Sequence, residues 1–436
     1  MTEHIAKVSD TGSEYCFILA STNEITFIGE LDYSVDYTKS IGTVYAYDNL
    51  TGEKLYTIRP RNYLEPFFME FGHTASVYEN HIAIGVIDYD EVTAKAYVYR
   101  FDKLGIYDEE IYMVEPQEGR DLYEKDDANV GPNVVLTENY LYLADTGYGS
   151  ELPDSQPYGA IFKFDRTNNN IVDTFRPEFK INDSIREFGH NLTLLDNVLV
   201  CSSTPAYSDG EYLSRESNVY LVDKDFGGYQ ILDKPDIEDF GVIFDAYTTV
   251  SGHSYIAVTN TKYNVDEPKV YLYPIKDNIP QPYIEIGYSN VKGISGIVGI
   301  TLTDTGLCLQ TSGDDEKNVE FYTYSGTNLW QYAVEETGDS YLPYWYYPIK
   351  YTNNFVFIVT LSNGRVKFIY PMTSSEIGDD SNVTIGFKYE YNYDVPEVIY
   401  ENNVLTGNTF KTIYGNRQKL NKAVPFLQVI FGKNDI

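Results

Sequence analysis

The chain has 436 residues, 43% of them hydrophobic and 15% aromatic, with 43 tyrosines and a formal net charge of −33. Such a composition holds ample core material and excludes a disordered chain. The charge excludes a body that binds nucleic acid or an anionic membrane by electrostatics, and it suits either solubility or the docking of a basic partner.

The three cysteines, Cys16, Cys201 and Cys308, each lie inside an apolar run. An odd number without paired spacing argues against a disulfide framework, so they read as small buried hydrophobes. Residues 1–8 lack the charged-then-apolar pattern of a signal peptide. The longest apolar runs, such as 355–359, are too short to span a bilayer. The expectation is a soluble chain made in a cytoplasm, without membrane insertion, that reaches the outside only by a route other than secretion.

The first unit runs from about residue 12 to 60, with strand-like runs at 15–20, 25–29, 43–48 and 54–58. Between the last two stands Asp48-Asn49-Leu50-Thr51-Gly52, a hairpin signal. The second unit opens on Phe71-Gly72-His73-Thr74 and continues through Ile82-Ala83-Ile84-Gly85-Val86 and 96–102 to 111–114. A polar segment, 115–129, leads to the third, with runs at 134–136, 140–144, 160–165 and 171–175. The fourth repeats the triplet as Phe188-Gly189-His190, then runs through 197–201 and 218–223 to 229–232.

The fifth unit opens on Phe240-Gly241 and has runs at 255–258 and 269–273. The sixth has 298–302, 306–309, 319–324 and 329–332, and the seventh 346–350, 355–359 and 365–370. Anchors at Gly12, Gly72, Gly131, Gly189, Gly241 and Gly299 recur about every 50–60 residues, the beat of four-stranded propeller blades. No segment has the 3.6-residue periodicity of an amphipathic helix. These observations predict an all-β fold, with a seven-bladed β-propeller over residues 1–371 and a C-terminal β/coil extension over 372–436. The last blade lacks a fourth strand, which residues 2–8 or 384–391 could supply, because a ring otherwise leaves an open edge; the expectation is 2–8, a strand-like piece with no other partner.

After Tyr370 the beat stops, although strand-like runs continue at 384–391, 395–400 and 426–431. Beyond Glu401 the charged residues are Lys411, Arg417, Lys419, Lys422 and Lys433 against Asp435 alone. A locally basic, apolar tail beside an acidic ring could fold back on the ring or dock elsewhere, and the expectation is an attachment segment.

Phe-Gly, an apolar strand, Ile-Ala-Ile-Gly, a variable loop and then Ala-x-Val-Tyr-x-Phe-Asp resembles the FG-GAP repeat of integrin-α-like β-propellers. The likeness is clear in the second and fourth units, recognisable in the first, third and fifth, and faint in the last two. It implies that the Phe wedges between blades and that the Gly permits close backbone approach. It says little about function. Many blades of that family carry a calcium loop ending in Asp-Gly. Here Asp32 to Asp36, Asp88-Tyr89-Asp90-Glu91, Asp145 to Asp154 and Asp314-Asp315 fall at the equivalent loops without the spacing that six or more oxygen ligands require.

His73 and His190 occupy equivalent places in the repeat, two blades apart, so each is expected to serve its own blade structurally. No nucleophile elbow, zinc motif or phosphate loop is present. The reading therefore names no catalytic, cofactor-binding or metal residues and no cofactor. An acidic, Tyr-rich, FG-GAP-like ring with an appended tail and no signal peptide resembles virion proteins of tailed phages. This resemblance implies a non-enzymatic structural or binding protein of the virion tail, collar or decoration. Its tail would meet other virion proteins, and its ring a cell-surface glycan or protein. The alternatives are a carbohydrate-active enzyme or lectin working from a propeller face, and an intracellular protein-interaction scaffold.

Overall fold

The computed structural model describes residues 2–7, 16–22, 24–30, 42–49, 51–60, 69–88, 93–114, 132–148, 159–178, 185–186, 188–205, 207–208, 211–212, 217–235, 240–260, 269–286, 294–304, 306–313, 317–326, 328–334, 350–351, 357–361, 365–370, 385–387, 397–404 and 409–416. Every regular element among them is a β-strand. The strands form antiparallel meanders in chain order. The first sheet is Cys16–Ser21, Ile25–Glu30, Thr43–Asp48 and Lys54–Ile58. The second is Met69–Tyr78, His81–Asp88, Thr93–Asp102 and Gly105–Met113. Asn133–Leu136, Tyr140–Asp145, Ala160–Asp165 and Asn170–Phe175 make the third, and Leu192–Leu195, Val198–Ser202, Val219–Asp223 and Tyr229–Ile231 the fourth.

The fifth sheet has Phe240–Thr248, Ser254–Asn260 and Val270–Lys276, and on the last of these it pairs both Ile279–Pro280 and Ile284–Ile286. The sixth is Ile294–Leu302, Gly306–Gly313, Lys317–Thr323 and Asn328–Val334. The closing sheet joins Lys350–Tyr351, Phe357–Leu361 and Arg365–Tyr370 to Thr2–Lys7, which pairs with Arg365–Tyr370 along its whole length. The first strand of each sheet touches that of the next, and Lys350–Tyr351 meets both Ile294–Leu302 and Cys16–Ser21, so the sheets close into a β-propeller ring.

The expectation of seven four-stranded blades needs correcting. Six sheets have that form. The fifth departs from it because the turn Asp277-Asn278, with both residues at positive φ, folds a two-residue strand back before the chain reaches Ile284. In the closing sheet the described strands are Lys350–Tyr351 and Phe357–Leu361, while residues 346–349 and 355–356 of the expected runs lie outside the described residues. The C-terminal extension holds a three-stranded sheet of Ile385–Phe387, Glu397–Val404 and Thr409–Asn416. Its last strand was not expected, since Lys411 interrupts the apolar pattern. The run 426–431 lies outside the described residues.

Middle strands read as unbroken apolar runs because neighbouring sheets cover both of their faces. Ile25–Glu30 and Thr43–Asp48 are buried at every position. Outer strands face solvent, and Asn170–Phe175 is exposed until Phe175. The core is therefore a set of seams. Phe27 and Val44 pack with Phe71, Ile84 and Tyr99 between the first two sheets. Val98 and Tyr112 meet Leu141 and Phe164 in the next. Tyr142 and Ile161 meet Phe188 and Tyr220, Val200 and Val219 meet Phe240 and Ile256, and Ala257 and Leu272 meet Ile300 and Leu309.

Candidate functional site

The Phe-Gly triplets build the ring's joints. Phe71, Phe188 and Phe240 are fully buried. The glycines that follow have φ of 91°, 95° and 91°, a region L side chains rarely enter. A Cβ on Gly72 would stand 2.6 Å from Val44 Cγ2, on Gly189 2.7 Å from Ala144 Cβ, and on Gly241 2.5 Å from Val219 Cγ2. Each of these partners belongs to the preceding sheet. The strand register slips between Phe71 and Thr74 and again between Phe240 and Ile243, so both Phe-Gly pairs sit at bulges. Gly299 lies at a third slip, while Gly12 and Gly131 lie outside the described residues.

His73 and His190 follow the glycines, half-buried, with the third sheet between theirs. The His190 backbone N–H donates to Ser202 O at 3.1 Å, and the Asn133 side chain donates to the carbonyls of Gly189 and His190. These contacts bind the triplet to its own sheet and to the one before.

Aspartates that end third strands make turns. Asp48 Oδ1 accepts Thr51 N–H at 3.0 Å, Asp102 Oδ1 those of Leu104 and Gly105, Asp165 Oδ1 that of Thr167 at 2.7 Å, and Asp223 Oδ1 that of Asp225 at 2.8 Å. This is the Asx turn that tightens a hairpin. Of the carboxylates considered for calcium, Asp145 is buried and its Oδ1 accepts Gly147 N–H at 3.2 Å. Asp88 ends a strand, and Asp32, Asp36, Asp90, Glu91, Asp154, Asp314 and Asp315 lie outside the described residues. No cluster of three or more side chains suited to a metal occurs among the described residues.

Polar clamps cross the seams. Lys103 Nζ stands 2.9 Å from Asp48 Oδ2. Lys163, whose side chain is only 7% exposed, reaches Asp225 Oδ1 at 2.6 Å and lies 4.1 Å from the Tyr140 ring centroid. The Lys163 hydrogen bond holds the Asp225 carboxyl below its ordinary range. Asp245 Oδ2 accepts Leu302 N–H at 2.8 Å, and Asp304 Oδ1 takes both Tyr247 Oη–H and Val250 N–H. Sequence reasoning missed these clamps. The available signal was a lysine inside the apolar run Ile161-Phe162-Lys163-Phe164, which must find a partner if buried.

Many tyrosines bury the ring and give the hydroxyl to a carboxylate: Tyr45 to Glu30 at 2.5 Å, Tyr112 to Glu110 at 2.7 Å, and Tyr322 to the fully buried Glu320. Burial and then Asp304 push the Tyr247 phenol up to about 12, and burial alone leads the rise of Tyr220 to about 12. Burial also raises the thiols of Cys201 and Cys308, which are free and fully enclosed, so neither is primed as a nucleophile. No helix among the described residues is long and apolar enough to cross a membrane.

No family model matches the sequence, and no curated protein matches it either. Solved structures do resemble it. The β-propeller domain of the Trilobed protease from Pyrococcus furiosus is 10% identical, with 82% of this chain and 94% of that one covered at a TM-score of 0.47. Pyrococcus horikoshii acylaminoacyl peptidase is 9% identical, with 90% and 59% covered at 0.48, so the chain spans under two thirds of that peptidase. A putative 6-phosphogluconolactonase from Bacteroides fragilis is 10% identical, with 91% and 98% covered at 0.44. The propeller itself is defined by the sheet order and the ring of inter-sheet contacts in this chain.

Proposed function

We propose that the chain is a non-enzymatic structural and binding propeller, carried in the virion of a tailed phage as a tail, collar or decoration protein. In this reading the ring is FG-GAP-like. The observation that carries the non-enzymatic part is the use made of the repeat's polar groups. Asp48, Asp102, Asp165 and Asp223 make turns, and Lys163, Asp225, Asp245 and Asp304 clamp seams. The segment 372–436 is the attachment element toward another virion protein, and the ring meets a host-surface glycan or protein. The virion assignment rests on the sequence resemblance alone.

Mass spectrometry of purified particles tests it, and the expected result is the chain at a fixed copy number per particle. Its absence from particles, or glycosidase turnover by the purified chain, would refute the reading. A deletion of 372–436 is expected to leave the ring folded and monomeric with nearly unchanged melting, yet missing from particles. Aggregation of the truncated chain would show instead that this segment belongs to the ring's core.

A further inference from the structure

The outer rim of the third, fourth and fifth sheets carries an apolar surface that the ring itself does not use. Ile171 and Val172 lie on the third sheet's outer strand, Tyr229 and Ile231 on the fourth's, and Ile279 and Ile284 on the fifth's. All six are exposed, with Ile231 at 51% and Ile279 at 59%. They form one continuous rim. The Phe175 ring packs on Tyr229 with centroids 5.6 Å apart, and Gln230 Nε2 donates to Asn278 O at 2.7 Å. Carboxylates outnumber ammonium groups along it: Asp173, Asp223 and Asp277 are exposed, Lys224 and Lys276 stand beside the last two, and Glu285 pairs with Lys269 at 3.1 Å.

Within the described sheets, Tyr229–Ile231 pairs with Val219–Asp223 alone, which leaves a strand edge facing outward. An open edge with apolar side chains is a template for an added extended segment. The complementary segment is in the same sequence. Residues 417–436 hold Arg417, Lys419, Lys422 and Lys433 against Asp435, around the run Val424-Pro425-Phe426-Leu427-Gln428-Val429-Ile430-Phe431. Basic and apolar character in the tail matches acidic and apolar character on the rim.

We infer that this rim receives the C-terminal segment of a second copy of the chain, so that copies join head to tail. The inference rests on reading the tail as the attachment element, and it names the partner. Ring order favours a second copy over the same one. The chain leaves the ring from Tyr370 in the closing sheet, whereas the rim centres on the fourth sheet, with the fifth and sixth intervening on one side and three sheets on the other. The contact is heterologous, tail on rim, and therefore propagates.

The test uses the full chain in sedimentation velocity over a concentration series at low and high salt. The wild type is expected to self-associate, and more weakly at high salt. A rim variant, Ile231→Lys with Ile279→Lys, and a tail variant, Lys419→Glu with Lys422→Glu, are each expected to raise the dissociation constant at least about tenfold, as a loss of about 1.4 kcal/mol requires. Mixed together they should form a 1:1 pair, because the intact tail of one meets the intact rim of the other. A wild type that stays monomeric, self-association indifferent to both variants, or a mixture without pairs would overturn the inference. So would variants that stay monomeric but melt lower, since that outcome places the tail on its own ring. Val172→Lys serves as a second rim variant should the double substitution fail to fold. A chain missing from particles that still associates in this manner would sink the virion reading and leave this one standing.

Discussion

Gly241 lies flat against Val219 of the preceding sheet, so close that a Cβ would meet Val219 Cγ2 at 2.5 Å. Gly72 stands in the same relation to Val44. The backbone at both is in the left-handed region, so any side chain there meets strain as well as a clash. Gly72→Ala and Gly241→Ala are each expected to cost about 2–4 kcal/mol in urea unfolding, from left-handed strain and overpacking together. Gly105→Ala is the control. Nothing lies within 4 Å of a Cβ there, and the change should stay within about 0.5 kcal/mol. Equal losses at all three positions would refute the joint role of the Phe-Gly pairs.

The ring closes through Thr2–Lys7, the outer strand of the sheet whose other strands end at Tyr370. Removing residues 2–7 exposes the edge of Arg365–Tyr370, which ends in Phe368-Ile369-Tyr370. The shortened chain is expected to melt lower and to aggregate as concentration rises, read by calorimetry and light scattering. Unchanged melting would show that the ring does not depend on this strand.

The repeat was legible because each blade reuses the same solution. Phe-Gly at the joint, an apolar second strand and an Asp-led hairpin are local features, and the turn at Asp48 behaves as its residues dictate. The N-terminal strand was legible too, since a strand-like piece around Ile5-Ala6 with no partner of its own must find an edge. Three other features were not legible. The extra strand of the fifth sheet depends on Asp277 and Asn278 both accepting positive φ, which an ordinary polar pair does not announce. The seam clamps join residues such as Lys163 and Asp225 that come together only when sheets stack. The outer rim is not legible because Ile171, Val172 and Ile231 stand in strand-like runs no different from the others, and only the sheet order puts them outside.

Lys163 and Asp225 offer a cleaner measurement. The lysine is almost enclosed, while the aspartate side chain is 64% exposed. A double-mutant cycle with Lys163→Met and Asp225→Asn should give a coupling of about 1–2 kcal/mol, since an enclosed ammonium loses its compensation when the carboxylate goes. The same cycle on Arg100 and Asp108, 3.0 Å apart but exposed at 47% and 69%, should give at most about 0.5 kcal/mol. Similar values at both sites would mean that Lys163 is hydrated in solution.

Alkaline unfolding is the last expectation, and its sign follows from the phenols. Tyr220 and Tyr247 rise from the ordinary 10.0 to about 12 in the folded chain, the first mainly through burial and the second through burial and then Asp304. Tyr142 and Tyr273 also rise, again mainly through burial. The folded state thus favours the neutral phenol, and the unfolded chain releases its protons first. Stability from these groups is fully present below about pH 10, where neither state is ionised. It falls as pH climbs through the folded values, because the unfolded state then binds fewer protons. Urea midpoints should therefore hold steady from pH 7 to 9 and drop between pH 10 and 12. Tyr220→Phe should lower the steepness of that drop, since the variant has one phenol fewer to ionise on unfolding. A flat profile to pH 12, or an identical slope in the variant, would show that the Tyr220 hydroxyl is hydrated in solution and not enclosed in its seam.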